Sequence, residues 1–381
     1  MSDAVQGERI HPATLYEALR ASGIDFFTGV PDSLLKDFIG YLTDRADEVG
    51  HVTAANEGGA VALAAGHYLA AGRAAGVYIQ NSGLGNTINP LTSLVDPEIY
   101  GIPVVLIIGW RGMPGTTDEP QHRKQGRITL GQLELLGVPH AVLGDKPADV
   151  GRTVADLVET AISRQMPVAL VVPPGRFAEY RRPAGPGPVY GLRREQALEA
   201  VLAQVQSQDV VVCTTGMASR EVFELRERSG MSHAQDFLTV GSMGHSSQIA
   251  LGIALAKPER LTFCLDGDGS VLMHLGSLAI IGSRSPANFR HIVINNGAHD
   301  SVGGQPTAGF AVDIPGIAEA CGYRATRRVV LADIAAAMTD LRSVDGPTLL
   351  EIRVDTGARN DLGRPTTQPA DNKAQLMDFL R

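Results

Sequence analysis

The residues best able to do chemistry lie in one stretch, CLDGDGSVLMHLGSLAIIGSRSPANFRHIVINNGAHD, residues 264–300. Near its start Asp268 stands between Gly267 and Gly269, with Ser270 next. Near its end come Asn295 and Asn296, the latter 28 positions (296 − 268) beyond Asp268. Each group follows an apolar run that reads as a strand, LTFCLDGDG and RHIVINNG. Glycine allows a tight turn and close approach of a ligand to the backbone. A helical pattern begins near Ser270, and its N-terminus offers free N–H groups to a phosphate. A carboxylate in the same turn repels a bare phosphate, so the combination calls for a divalent cation between them. An Asp carboxylate, an Asn carbonyl and a backbone carbonyl are hard oxygen ligands that suit Mg2+. Ligands of open α/β sheets also collect at the carboxyl ends of strands. The expectation is a diphosphate clamp bridged by magnesium; two ordinary βα turns are the plain alternative.

The elements that must position these residues follow from the alternation along the chain. AAGVYIQ, PVVLIIGW, PVALVVP, DVVVCTTG, LTFCLDGDG, RHIVINNG and PTLLEIRVD are nearly continuous apolar runs bounded by Gly or Pro, the mark of strands buried on both faces of a parallel sheet. Helical patterns such as GGAVALAAGHYLAAG, PADVGRTVADLVETAISRQ, RREQALEAVLAQVQ and LADIAAAMTDLRS lie between them, which predicts α/β architecture with helices on both faces of mainly parallel sheets. The Pro/Gly-rich YRRPAGPGPVYG predicts a linker at 183–191 between domains at 1–182 and 192–381. The chain has 381 residues, 44% hydrophobic and 19% charged, with 33 basic against 41 acidic residues and a net charge of −8. That is the profile of a globular protein, and no basic stripe points to nucleic acid. Cys213, Cys264 and Cys321 sit singly, as core filler rather than a zinc site or disulfide framework, and fit a reducing cytoplasm. The N-terminus shows no apolar leader and no run is long enough to span a membrane, so no membrane partner is expected.

The spacing of GDGS and NNG resembles the diphosphate-binding signature of thiamine-diphosphate (ThDP) enzymes. The resemblance implies that Asp268, Asn296 and the backbone carbonyl of Ala298 bind the metal, and that Gly267, Gly269 and Ser270 line the diphosphate. It also implies two domains of that fold, one binding the pyrimidine and one the diphosphate. In such enzymes a carboxyl group in an apolar setting holds a proton against the coenzyme's pyrimidine nitrogen. Glu57, at the head of the Ala-rich EGGAVALAAG, resembles that residue; complementing the helix dipole is its ordinary reading. Gly241, Ser242 and Met243 of VGSMGH resemble the turn whose bulky residue wedges the coenzyme, although a Met before a helix is most often core packing. Thr215, Gly216 and Met217 of CTTGMASRE resemble a further diphosphate contact. QNSGLGNTINP lacks the third glycine of a dinucleotide-binding turn and resembles the segment lining the pyrimidine side.

The absence of a middle domain resembles the two-domain phosphonopyruvate and sulfopyruvate decarboxylases among the 2-oxo acid decarboxylases. So do TGVPDSLLKDF, NEGGAVALAAGHYLA, PVVLIIGWRGMPGTTDEPQH and NNGAHDSVGGQPT, and the likeness spans most of residues 10–355. It implies decarboxylation of an anionic 2-oxo acid, with phosphonopyruvate the first expectation and sulfopyruvate the second. A ThDP-fold protein without catalysis is the alternative of another class. Asp32 resembles an active-site Asp, although Asp32 or Ser33 can equally cap the helix that follows. Ser33 is also a candidate substrate contact. Arg111 has the fork for a phosphonate or carboxylate, and pairing with Asp118 or Glu119 competes equally. His122 resembles a proton donor, and His299, just past the metal turn, can reach substrate. The HDSVGGQPTAG segment reads either as a lid or as an ungated loop. In the family the two halves of the site come from different subunits, so at least a homodimer is expected.

Overall fold

The computed structural model describes residues 8–182 and 189–381, which divide into two compact units on either side of the 185/186 boundary. Of the linker expected at 183–191, residues 183–188 lie outside the described residues. The N–H groups of Val189 and Tyr190 both donate to Asp355 Oδ1, at 2.6 and 2.9 Å, which ties them to the second unit.

In the first unit β1 (Phe26–Gly29), β2 (Gly50–Thr53), β3 (Ala75–Gln80), β4 (Val104–Gly109), β5 (His140–Val142) and β6 (Pro167–Val172) form one parallel sheet in the order β2-β1-β3-β4-β6-β5. The continuous apolarity of β4 has a direct cause. Val105 and Ile107 enter a core shared with the Pro12–Ala21, Lys36–Thr43 and Pro147–Arg164 helices. Val104, Leu106 and Ile108 enter another, shared with the Glu57–Ala71 helix. Successive side chains of a strand point to opposite faces, so a strand covered on both sides has no polar positions. Burying each such Val, Leu or Ile stabilises the fold by about 1.5–3 kcal/mol. The Glu57–Ala71 helix ends at Gly72, whose φ of +66° closes it in a left-handed cap.

The second unit repeats the plan with β7 (Val210–Cys213), β8 (Asp236–Leu238), β9 (Thr262–Gly267), β10 (Phe289–Asn295), β13 (Ala325–Val329) and β14 (Thr348–Arg353) in the parallel order β13-β14-β10-β9-β7-β8. Between β10 and β13 a small antiparallel ribbon intervenes, β11 (Ala298–His299) and β12 (Gln305–Pro306). Phe263 and Leu265 of β9 enter one core and Cys264 the opposite one. Cys213 and Cys264 are buried and Cys321 half-buried, all three free. Among the described residues no helix is long and apolar enough to cross a membrane.

Two sequence expectations need correction. The helix after β9 starts at Asp268 itself, not near Ser270, so the carboxylate belongs to the first helical turn and not to a preceding loop. The LADIAAAMTDLRS pattern becomes regular helix only at Ile334, after a 3-10 turn at Leu331–Asp333. Strands β5, β8 and β13 gave no apolar run because they are short or partly exposed.

Candidate active site

The second unit gathers Asp268, Asn296 and Ala298 where β9 and β10 end side by side. Asp268 is 2% exposed. Its carboxylate takes the Thr307 hydroxyl and, at 3.4 Å, the Asn296 N–H. No ion pair reaches it among the described residues, and burial pushes its pKa up to about 6 against those donors. The donor set is all oxygen: this carboxylate, the Asn296 carboxamide and the Ala298 carbonyl. A desolvated, unpaired carboxylate beside such oxygens is chemically suited to a hard divalent cation. Gly309 keeps the carboxylate in place from the other side, since a β-carbon there would fall 2.8 Å from Asp268 Cβ and 2.7 Å from Asn295 Oδ1.

A buried network orients the carboxamide of Asn296. Its Nδ2 donates to Asp300 Oδ2 at 2.8 Å. The same oxygen accepts Arg194 Nη1 at 3.0 Å and Gly357 N–H at 2.9 Å. Arg194 in turn forks onto Glu221 at 2.7 and 2.9 Å. Asp300, Arg194 and Glu221 were not singled out from the sequence: they stand far apart in the chain and meet only through packing. Thr307, by contrast, lies inside the GGQPT segment, whose polar residues were the available signal.

The turn before the Asp268–Met273 helix carries a second layer. A β-carbon on Gly269 would lie 2.9 Å from His299 Cε1 and 3.4 Å from Met243 Cε, so the structure brings Gly269, His299 and Met243 together. Met243 is half-buried, not core, and Ser242 before it holds φ at +55°, a left-handed conformation rare outside glycine. Burial pushes the His299 imidazole down to about 4. Ser270 is buried, and its hydroxyl accepts Thr214 Oγ1 and Gly244 N–H, both at 3.1 Å; what it has left for a ligand is its backbone N–H. Gly216 caps the Met217–Arg228 helix at φ +95° with no side-chain cap, leaving the first N–H groups of that helix open beside the half-exposed Thr215 and Met217. Beneath the turn, Cys264, Asp266 and His291 bring their ligand atoms within 4.8 Å of one another. Burial pushes Asp266 up, but His291, Ser270 and the Gly267 N–H outweigh it and hold the carboxyl below the usual range.

In the first unit Glu57 opens its helix as the sequence implied, but it is 6% exposed. A glutamate that merely complemented a helix dipole would sit in water. Here Asn86 Nδ2 donates to Oε2 at 2.8 Å, and Gly83 lies so close that a β-carbon there would fall 2.6 Å from Glu57 Cδ. Burial raises the pKa of this carboxyl against the Asn86 hydrogen bond. Asn56 caps the same helix through Gly59 N–H at 2.8 Å.

The Asn81–Thr87 turn that carries Gly83 and Asn86 also reaches Arg111. Asn81 Nδ2 donates to the Arg111 carbonyl at 2.8 Å and its Oδ1 accepts the Arg111 N–H at 3.1 Å. The Arg111 guanidinium forks onto Asp118 at 2.8 and 2.5 Å and donates to Ser33 Oγ at 2.7 Å. Of the two sequence readings of Arg111, pairing with Asp118 is the one seen, with one hydrogen left on each terminal nitrogen. Asp32 is fully buried. It accepts Gln80 Nε2 at 2.6 Å and Leu34 N–H at 3.1 Å, and Gly109 at the end of β4 leaves room for it. It does not cap the following helix, whose N-cap is Leu35. Burial drives its pKa up to about 6, opposed by Gln80 and Arg111. Burial, then the Arg111 charge, pushes His122 down to about 4, so near neutral pH Asp32 retains more of a transferable proton than this imidazole does.

Comparison with known proteins bears on both units. Residues 13–133 match the model of the thiamine pyrophosphate enzyme N-terminal TPP binding domain, and residues 214–352 that of the C-terminal TPP binding domain. The chain is 39% identical to a phosphonopyruvate decarboxylase of Streptomyces viridochromogenes, over 97% of this chain and 95% of that one. It is 38% identical to a phosphonopyruvate decarboxylase of Streptomyces hygroscopicus, over 97% and 94%. A sulfopyruvate decarboxylase of Methanosarcina acetivorans is 28% identical, over 82% and 83%. With both units matched and the likeness running nearly end to end, the chain belongs to the thiamine pyrophosphate enzyme family, among its ThDP-dependent decarboxylases.

Proposed function

We propose that the protein decarboxylates 3-phosphonopyruvate to phosphonoacetaldehyde and carbon dioxide, with ThDP and Mg2+, as a cytoplasmic homo-oligomer. The substrate choice is carried by the end-to-end likeness to two phosphonopyruvate decarboxylases, against a lower likeness to a sulfopyruvate decarboxylase. Bound ThDP supplies the electron sink for breaking the carbon–carbon bond. Asp268, Asn296 and the Ala298 carbonyl hold the metal, and the N–H groups opening the Asp268–Met273 and Met217–Arg228 helices, with Thr215 and Gly241, take diphosphate oxygens. Met243, beside Gly269, would be an apolar support for the coenzyme. Residues 192–381 are thus the diphosphate-binding domain and residues 1–182 the pyrimidine-binding one, completed by a second subunit.

Burial raises the Glu57 carboxyl, which favours the protonated form that can donate a hydrogen bond to a ring nitrogen of the coenzyme. Asp32, raised to about 6, keeps a protonated fraction near neutral pH and so can take or give a proton, while His122 is neutral there. Ser33 and the two free N–H groups of Arg111 hold an anionic end of the substrate, and His299 is a further substrate contact. A trianionic substrate is better tolerated beside carboxylates that are protonated or metal-bound, and burial shifts Glu57, Asp32 and Asp268 toward the protonated form.

The test is decarboxylation of phosphonopyruvate and sulfopyruvate by protein stripped of cofactors, then restored with ThDP and Mg2+. Activity that appears only on restoration and favours phosphonopyruvate is the expected result. A preference for sulfopyruvate overturns the substrate, full activity without cofactors overturns the cofactor assignment, and no activity on either leaves a non-catalytic protein of the fold.

A further inference from the structure

Gln305 is 1% exposed, yet neither Nε2 nor Oε1 of its carboxamide has a hydrogen-bond partner among the described residues. Buried polar groups are nearly always paired, and one left unpaired disfavours the folded state. Two orphaned atoms on one side chain are therefore a feature to explain. Several buried groups near the turn satisfy each other, as Asp266 does with His291 and Arg194 with Glu221; single atoms of His274 and Ser246 also lack partners, but Gln305 has both of its side-chain polar atoms unpaired. The position of Gln305 supplies the explanation. It pairs directly with His299 across the β11–β12 ribbon, and residues opposite one another in an antiparallel pair project from the same face. His299 lies against Gly269, the second residue of the Asp268–Met273 helix. The ribbon is pinned over that helix start by the Thr307 hydroxyl on Asp268 and by Thr307 N–H to the Gly297 carbonyl at 2.9 Å. Consecutive Gly303 and Gly304, at φ +122° and +73°, let the chain turn back tightly enough to present Gln305 there.

We propose that Gln305 is a ligand-binding residue of this site, its carboxamide N–H donating to an oxyanion of the bound ligand: a phosphoryl oxygen of the cofactor or the anionic tail of the 2-oxo acid. Its Oε1 accepts from a water or hydroxyl that accompanies that group. The assignment rests on the functional reading above.

The experiment uses Gln305→Met, which keeps length and volume but removes both polar atoms. Three quantities are read: the thermal midpoint of the ligand-free protein, the calorimetric affinity for ThDP with Mg2+, and KM for phosphonopyruvate. Because the carboxamide is unpaired without ligand, the Met variant should be as stable as wild type or more so. Ligand binding should weaken roughly ten- to hundredfold, the worth of a hydrogen bond to a charged group. A weaker ThDP affinity identifies the cofactor as the source of the oxyanion; an unchanged affinity with raised KM identifies the substrate. Gln305→Glu, which sets a carboxylate against the oxyanion, should lose at least as much. A loss of less than about fivefold in both affinity and KM, or a ligand-free Met variant less stable than wild type, overturns the assignment. Wild-type protein that takes up no ThDP defeats the functional reading itself, whereas a wild type that binds beside a variant that binds equally defeats only the role of Gln305.

Discussion

Gly83 packs directly against the Glu57 carboxyl, and Gly83→Ala tests that geometry. Gly83 lies in the Asn81–Thr87 turn with an ordinary negative φ, so alanine is not excluded by the backbone. It is excluded by space. The added methyl would sit 2.5 Å from Glu57 Cγ and 2.6 Å from Cδ, where ordinary contact begins at 3.4 Å. Relieving the contact with Cγ takes 3.4 − 2.5 = 0.9 Å, and Oε1 lies closer still. Glu57 is buried at the head of a helix, so its carboxyl must swing away by about that much and strain the hydrogen bond from Asn86. A displacement of about 1 Å in a catalytic group costs roughly a hundredfold in rate. Overpacking costs about 1–3 kcal/mol, partly offset by the about 0.4–1 kcal/mol that alanine gains over glycine through the unfolded chain. The protein should therefore fold, with kcat for decarboxylation at saturating ThDP and Mg2+ down about a hundredfold. Gly151→Ala is the matched control: exposed, inside the Pro147–Arg164 helix, with nothing within 4 Å of a β-carbon. It should gain about 0.5–1 kcal/mol in stability and leave kcat unchanged. If Gly83→Ala turns over within about threefold of wild type, Glu57 does not need this geometry and its catalytic role falls.

Two further outcomes follow from the buried acids. Asp300→Ala frees the Asn296 carboxamide while Glu221 still holds Arg194, so Mg2+ affinity measured by calorimetry with ThDP present should fall about ten- to hundredfold, as for other supports of metal ligands; unchanged affinity would show that Asn296 is not oriented through Asp300. Asp32 titrates at about 6 when folded against 3.8 for the free side chain, so the folded protein holds a proton that the unfolded chain releases first. Its contribution to stability is full below the unfolded pKa and is lost as pH rises through the folded one. The Asp32→Asn protein escapes that loss, and its unfolding midpoint should gain on wild type between about pH 4 and about pH 7; a gap constant over that range would contradict the raised pKa.

What the sequence disclosed divides along physical lines. Strands such as β4 and β6, buried on both faces, wrote themselves as unbroken Val, Ile and Leu. The edge strands β5 and β13 have partly exposed positions and lack that pattern. Asp268, Asn296 and Glu57 were legible because each follows a strand and opens a helix or glycine turn, which fixes where the side chain must stand. Asn86, Gln80, Thr307 and Asp300 were not, although all lie in quoted segments, because polar loop residues advertise no partner. Arg111 shows the limit well: its chemistry fits an anion, but whether Asp118 reaches it first is decided by a loop path that spacing alone does not encode.

Apart from Glu221 and Asp236, which burial raises in spite of their arginine partners, the structure distinguishes two kinds of acid. Asp266 beside His291 and Asp118 beside Arg111 have fixed partners, and both are held below the usual carboxylate range. Glu57, Asp32 and Asp268 lie at strand mouths and are raised. An acid of the first kind contributes to stability; one of the second keeps a desolvation cost that a ligand can remove. The ligand it selects depends on what already touches it. Glu57 has the Asn86 amide and its own backbone N–H on its carboxyl, fewer donors than Asp268, so its anion is the less supported of the two and burial shifts it toward the protonated form that its proposed role uses. Asp268 has a hydroxyl and backbone N–H groups trained on its oxygens, so its anion needs only a cation to be fully supported. Similar burial thus suits the proposed acid of one unit and the proposed metal ligand of the other, and the difference lies in two or three hydrogen-bond donors.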